Sequence, residues 1–269
     1  MPENDLLEAA IRQLGGCENA SDITNVDRLH VAVCGPPGSW KSYTIANTAR
    51  KPLLHYDFDD RKESIAGTKD VTIKTIIDRT DTEHIAWNKL ENDVSVLEYL
   101  KEKNQLPFKS VALDSFTFLR QYAEHQFIYD CGDVKKAKFH VGNTDYIIPR
   151  GWDAVVGVQK MLQGVIRRLF ALDLDVYAVF HTRNEKDQNK TTAEKTVYKD
   201  TLTIDPENLK MLLPMFNDKW RMIYDNGTFR IQVKCNWEFP ASTALKNMSE
   251  TEPADIQKML EKHNKNGTK

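Results

Sequence analysis

Gly35-Pro36-Pro37-Gly38-Ser39-Trp40-Lys41-Ser42 is the stretch on which the fold prediction depends. It follows the pattern G-x-x-x-x-G-K-[S/T], with one departure at Trp40, where the pattern asks for glycine. In such a loop, backbone N–H groups cradle phosphates, the lysine reaches the β- and γ-phosphates, and the hydroxyl ligates magnesium. The stretch, together with Tyr43 directly after it, therefore predicts a site for ATP and Mg²⁺, with Lys41 on phosphate and Ser42 on the metal.

The flanks of this loop agree with that prediction. An apolar run, Leu29–Cys34, precedes it as a buried strand, and Lys41–Arg50 follows as a helix that ends before Pro52. The Trp40 side chain leaves two alternatives open. It could crowd the β-phosphate, or it could point outward from the first helical turn.

Strand and helix signals alternate along the rest of the chain, which predicts an α/β fold with a mostly parallel sheet flanked by helices. The predicted strands are 53–58, 71–77, 110–113 and 175–180, and the predicted helices are 41–50, 86–103, 118–129 and 153–172. Residues 131–150 and 183–199 are predicted loops, and 219–224 with 229–235 a C-terminal β-hairpin closed by a type I′ turn. Helices are also predicted at the N-terminus and over 253–262.

Polar residues stand at the ends of three predicted strands. Asp114 ends an apolar strand, where a carboxylate supports a magnesium shell beside Ser42. One of the carboxylates in Asp57-Phe58-Asp59-Asp60 could position the attacking water, although strand-end solubility explains them equally well. His181 ends another buried strand, and a lone histidine in such a place is more often structural.

Composition sets limits on partners and compartment. The net charge of −2 gives no global field that would attract nucleic acid, so any DNA binding must come from local patches. The four cysteines form no C-x-x-C pair, which disfavours a zinc site and fits a reducing compartment. We see no signal peptide and no stretch of 18 apolar residues, so we expect a cytoplasmic protein without membrane contact.

Taken in order, these motifs resemble the RecA superfamily, and more specifically the phage-encoded Sak-type single-strand annealing ATPases with a RecA core. The similarity runs from about Arg28 to Lys246. It consists of the phosphate loop, the strand ending Asp57-Phe58-Asp59, the strand ending at Asp114, and the strand ending at His181. Looser likeness continues through Asn217-Asp218-Lys219-Trp220 and Thr243-Ala244-Leu245-Lys246.

The resemblance implies roles for individual residues. Asp59 takes the place of the acid that activates water, and His181 that of the residue that senses the γ-phosphate. Lys246 becomes the leading candidate for a cation supplied by a neighbouring subunit, with Arg230 second. A homo-oligomer, either ring or filament, is therefore expected.

The same resemblance places two DNA-contacting loops at 131–150 and 183–199. Basic residues interleaved with aromatics suit phosphate tracking and base stacking, whereas composition alone favours ordinary solvated loops. The candidate contacts to single-stranded DNA are Lys135, Lys136, Lys138, Arg183, Lys186, Lys190 and Lys195.

The sequence thus predicts a RecA-like ATPase that binds single-stranded DNA in phage-type recombination or annealing, alongside other phage recombination or replication proteins. The alternative is a nucleotide-gated P-loop protein, a loader or regulatory partner, with little hydrolysis. A P-loop kinase is disfavoured by the Asp114-Ser115 ending and by the lack of an arginine-rich lid. We expect an N-terminal helix and linker at 1–27, the ATPase core at 28–248, and a C-terminal helix and tail at 249–269.

Overall fold

The computed structural model describes residues 28–80, 82–131, 138–141, 144–147, 151–186, 198–202, 211–236 and 239–265. The predicted N-terminal helix lies outside these residues. The predicted division of the chain at residues 27 and 248 stays a prediction.

A nine-stranded sheet forms the centre of the molecule. Its strands are β1 (His30–Gly35), β2 (Leu53–Asp57), β3 (Val71–Thr75), β4 (Ser110–Asp114), β7 (Asp175–Lys186), β8 (Tyr198–Leu202), β9 (Asp218–Asp225), β10 (Thr228–Gln232) and β11 (Thr251–Pro253). The spatial order is β11-β10-β9-β1-β7-β4-β2-β3, with β8 paired to β7. The six strands from β9 to β3 in this order are parallel, and the remaining pairs are antiparallel. The predicted fold class is confirmed.

Helices cover both faces of the sheet because the strand residues alternate between two hydrophobic clusters. On one face, Ala32 and Cys34 of β1 pack with helices α2 (Ile85–Glu102), α3 (Phe116–Asp130) and α4 (Gly151–Phe170). On the other face, Val31 and Val33 pack with α1 (Lys41–Thr48) and α5 (Ile256–Asn264). The short 3₁₀ helices span Lys62–Ile65 and Leu213–Met215.

The β9–β10 hairpin agrees with its prediction in turn type. Asn226 and Gly227 connect the strands with φ values of 49° and 81°, and two positive φ values are what a type I′ turn requires. The predicted loop at 131–150 is wrong in part, since β5 (Lys138–Val141) and β6 (Thr144–Ile147) form an antiparallel pair.

A second difference concerns the strand that carries His181. The prediction ended it at Phe180, whereas β7 continues to Lys186 because its polar end pairs with β8. The predicted loop at 183–199 therefore starts and finishes in paired strand. None of the helices in the described part of the chain has the length and apolarity needed to cross a membrane.

Candidate functional site

The phosphate loop connects the end of β1 to the start of α1, at the edge of the sheet where the parallel strands have their carboxyl ends. A Cβ atom on Gly35 would lie 2.7 Å from Ser39 Oγ and 3.2 Å from Met222 Cβ, so a side chain there would force the loop to shift. Gly38 has φ +77°, a left-handed conformation that favours glycine. The two glycines thus have separate steric reasons to be in the loop.

Lys41 is folded over the loop. Its Nζ donates to Gly35 O at 2.9 Å, to Pro36 O at 2.8 Å and to Ser39 Oγ at 3.2 Å, and the residue is only 4% exposed. Burial lowers the pKa of Lys41 to about 8, against the opposing charges of Asp114 and Asp59. The ammonium group is therefore still mostly protonated at pH 7 and lies within the cavity where phosphates would bind.

Ser42 and Asp114 meet across the cavity, since the Ser42 hydroxyl donates to Asp114 Oδ2. His55 Nε2 lies 3.3 Å from the same oxygen. Burial raises the pKa of Asp114, but the hydrogen bonds and charge supplied by His55, Ser42 and Lys41 outweigh it, so the net shift is downward. Asp114 is thus ionised at neutral pH despite its burial.

This oxygen pair fits magnesium. A hydroxyl and a carboxylate are hard donors, and Mg²⁺ in nucleotide sites takes one or two protein ligands and completes its shell with phosphate oxygens and water. Ser42 and Asp114 are the residues that would hold the ion.

The three carboxylates after β2 have different environments. Asp57 is buried and accepts hydrogen bonds from the N–H groups of Asp59 and Arg61 at 3.3 and 3.1 Å, so it shapes the turn. Asp60 points outward and pairs with Lys62 at 3.2 Å. Asp59 alone lines the cavity together with Lys41.

Asp59 has an unusual protonation equilibrium. Burial, followed by the charges of Asp114 and Asp57, raises the pKa of Asp59 to about 7, although Arg61 opposes the shift. A carboxyl with a pKa near neutrality is suited to accept and release a proton at physiological pH.

His181 lies on β7, which separates β1 from β4 in the sheet, and its register partner is Gly35 at the end of β1. Its Nε2 is 4.0 Å from Asp59 Oδ2. Burial, with a contribution from the charge of Lys41, lowers the pKa of His181 to about 4, so the imidazole is neutral at pH 7. It would interact with phosphate through a hydrogen bond rather than a charge.

The structure decides between the two orientations of Trp40. Its backbone is left-handed, with φ 63° and ψ 21°, and the residue is 51% exposed. The indole stacks on Phe229 of β10, with ring centroids 4.8 Å apart. The side chain therefore points outward to the β9–β10 hairpin, where it still borders the cavity that Lys41 lines. The tryptophan adopts the backbone conformation for which the pattern has glycine.

The residues predicted for phosphate, metal and catalysis line one cavity of about 570 Å³, with the exception of Gly35 and Pro36. The carbonyl groups of these two residues accept hydrogen bonds from Lys41. The volume of the cavity lies within the range of roughly 300–1,000 Å³ found for ligand sites. Four further residues contribute to the site without having been predicted: Arg61, Glu63 and Ser64 in the cavity lining, and His55 beside Asp114. The contact of His55 with Asp114 depends on the pairing of β2 with β4, for which the sequence has no local pattern.

The predicted DNA contacts are only partly described. Arg183 is exposed on β7, while Lys138 starts β5 and Lys186 ends β7. The other four, Lys135, Lys136, Lys190 and Lys195, lie outside the described residues.

Lys246 is exposed and is not part of the cavity lining. Its segment is fixed to β9, because the Thr243 hydroxyl and the Ala244 N–H both donate to the buried Asp218 carboxylate. The stretches 217–220 and 243–246, to which the looser part of the resemblance extends, are therefore in direct contact.

Comparison with known proteins agrees with this geometry. A search of curated proteins finds no match to the chain. A protein family described as an AAA domain matches residues 27–213, which is more than half of the sequence and includes the phosphate loop, Asp59, Asp114 and His181. With its phosphate loop, its parallel sheet and this match, the chain belongs to the AAA domain family of P-loop ATPases.

Proposed function

We propose that the protein hydrolyses ATP with magnesium as a RecA-like ATPase and that this activity is coupled to single-stranded DNA. The observation that carries the proposal is the convergence of five side chains on one cavity: Lys41 and Ser42 from the start of α1, Asp59 from the turn after β2, Asp114 from the end of β4 and His181 from β7. Each of these side chains has the chemistry that one part of phosphoryl transfer needs.

In the proposed reaction, a water oxygen forms a bond to the γ-phosphorus while the bond from that phosphorus to the β,γ-bridging oxygen breaks. Asp59 accepts the proton of the attacking water, which its pKa near 7 permits. Lys41 neutralises charge on the β- and γ-phosphates, and neutral His181 hydrogen-bonds the γ-phosphate. Magnesium, when bound beside Ser42 and Asp114, offsets the charge of the phosphate oxygens.

Single-stranded DNA is the proposed partner, in phage-type recombination or annealing. One feature of the fold supports coupling: β7 runs unbroken from His181 to Lys186 and is paired with β8 beyond the site. A change in the contact between His181 and the γ-phosphate would therefore be transmitted along a paired strand into the predicted DNA-contacting segment. Since the net charge is −2, binding would rest on local cations and fall steeply with added salt.

The test is ATP turnover with and without single-stranded DNA, together with nucleotide affinity. We expect single-stranded DNA to increase ATP turnover. ATP turnover that does not change with DNA would show an ATPase and would contradict DNA as its partner. Tight nucleotide binding without turnover under both conditions would instead favour the nucleotide-gated binding protein.

DNA contact is tested directly by two triple substitutions, each assayed for oligonucleotide affinity with a non-hydrolysable ATP analogue. They are Lys135/Lys136/Lys138→Ala and Lys186/Lys190/Lys195→Ala. A matched control, Lys69/Lys89/Lys103→Ala, removes three exposed lysines from elsewhere on the surface. We expect weaker binding and a smaller salt slope in the first two variants and not in the control. Wild-type affinity in both would eliminate the two segments as the DNA site.

A further inference from the structure

Four aromatic side chains form a continuous surface beside the phosphate loop, which we call the aromatic shelf: Trp40, Tyr43, Tyr224 and Phe229. The Trp40 ring stacks on Phe229 at 4.8 Å with an interplanar angle of 22°. Tyr43 contacts Trp40 with centroids 4.7 Å apart, and Tyr224 contacts Phe229 at 5.0 Å. The shelf thus joins the first turn of α1 to the β9–β10 hairpin.

The shelf faces solvent to an unusual degree for large aromatic rings. Trp40 is 51% exposed, Tyr43 43% and Tyr224 67%. Exposed apolar side chains scattered singly are ordinary, but a contiguous group indicates a place where something binds. Stacked aromatic rings with open edges and faces suit another flat ring.

The position of the shelf indicates what that ring is. Trp40 and Tyr43 line the same cavity as Lys41, Ser42 and Asp114. Tyr224 and Phe229 line the neighbouring cavity, which shares Pro37, Gly38 and Ser39 with the first. A ligand with its phosphates on Lys41 would therefore have its remaining atoms next to the shelf.

The backbone of Trp40 gives independent support. A left-handed conformation is strained for a non-glycine residue, and the usual glycine would avoid that strain. Stacking on Phe229 offsets part of it. A strained residue at a loop position that glycine fills without strain is the kind of feature found at ligand sites.

We propose that the aromatic shelf binds the nucleobase of the nucleoside triphosphate whose phosphates occupy the loop, an inference that depends on the proposed function. The base lies against Trp40 and the ring of Tyr224, with Tyr43 at its edge. Because stacking recognises the face of a ring and not its hydrogen-bonding pattern, the shelf accepts adenine and guanine with comparable affinity.

The experiment compares magnesium complexes of ATP, GTP and inorganic tripolyphosphate by calorimetry. Tripolyphosphate reports the phosphate loop alone, whereas the nucleotides report the loop and the shelf. We expect Tyr224→Ala and Trp40→Gly to weaken ATP and GTP about 10- to 100-fold each, while tripolyphosphate binds as to the wild type. Tyr99→Ala is the matched control, since Tyr99 is 57% exposed on α2, away from the site.

A conservative variant keeps the test independent of folding. Tyr224→Phe retains the ring and should retain the affinity for ATP. Unchanged ATP affinity in Tyr224→Ala and Trp40→Gly would overturn the shelf, as would equal binding of ATP and tripolyphosphate by the wild type. Weaker oligonucleotide binding with unchanged nucleotide binding would overturn it in favour of a DNA surface. If the wild type did not bind tripolyphosphate at all, the assignment of the phosphate loop itself would be wrong.

Discussion

Three short contacts fix the Lys41 ammonium group over the loop, at Gly35 O, Pro36 O and Ser39 Oγ. These contacts keep the ammonium group buried. Among the described residues, no other lysine lines the cavity. The first prediction follows from this arrangement.

Lys41→Ala should abolish ATP binding, because Lys41 is the buried lysine that lines the cavity among the residues the structure describes. Truncating one partner of a buried charge pair costs about 2–5 kcal/mol, which corresponds to a loss of at least about 30-fold in affinity. Calorimetric titration with Mg-ATP measures the loss. Lys62→Ala is the control, since Lys62 lies close by but pairs outward with Asp60. Nucleotide affinity that survives Lys41→Ala would disprove the phosphate-loop assignment.

The protonation of Asp59 predicts a pH dependence of turnover. The pKa of Asp59 is raised to about 7, so the carboxyl is protonated and unable to act as a base below that pH. Accordingly, kcat/KM for ATP should rise with pH through a midpoint near 7 and fall again above about pH 8, where Lys41 loses its proton, as expected for an essential base and an essential cation of the free enzyme.

Asp60→Asn should leave this profile unchanged, because Asp60 points to solvent. A rising limb centred near the ordinary carboxylate pKa would show that Asp59 is not the titrating base. So would a profile that stays flat across pH 6–8.

Among the elements, α3 and α4 pack closely against each other on one face of the sheet, where they contact β4, the strand that ends at Asp114. A Cβ atom on Gly157 of α4 would lie 2.0 Å from the Phe127 ring of α3, whereas one on Gly164 meets nothing within 4 Å. Gly157 and Gly164, which lie on the same helix, therefore offer a matched pair of substitutions.

Gly157→Ala should lower the free energy of unfolding by about 1–3 kcal/mol, the usual cost of inserting a methyl group into filled space. Gly164→Ala should be neutral or stabilising by up to about 1 kcal/mol, since alanine favours a helix more than glycine does. Chemical denaturation measures both. Equal stability of the two variants would contradict the described packing of α3 against α4.

At this scale the sequence predicts most of the fold, since hydrophobic runs and helical stripes extend over whole elements. It fails where strands carry no such pattern. The polar end of β7, Asn184 to Lys186, is strand because β8 pairs with it, and β11 has only three residues. Neither pairing leaves a local signal.

The site shows the same limit at the level of contacts. The phosphate loop and the strand-end carboxylates are local patterns, so they could be predicted. The contact of His55 with Asp114 depends on the register between β2 and β4, and the outward direction of Trp40 depends on Phe229 of a distant hairpin.

For the whole molecule, self-association remains a proposal, with Lys246 as the cation that completes a neighbour's site. The Asp218–Thr243 contact fixes the backbone beside Lys246, while the side chain is exposed and outside the cavity of its own chain. A contact with another subunit requires an exposed side chain of this kind.

Mixing two inactive variants tests this. Lys246→Ala retains its own phosphate loop, and Lys41→Ala retains the donated cation, so a mixture should recover part of the turnover that each variant lacks alone. Lys258→Ala, which removes an exposed lysine of α5, should be active by itself. A mixture no more active than its components would contradict a site completed by a neighbour.

Hydrolysis of ATP in this cavity, with Asp59 as the base, is tested by steady-state ATP turnover of wild type and Asp59→Asn, with Mg-ATP affinity measured on both. We expect the affinity to be unchanged and the turnover to be reduced by roughly 100-fold or more, as for loss of a general base. Turnover by Asp59→Asn at the wild-type rate would show that the water-activating group lies elsewhere.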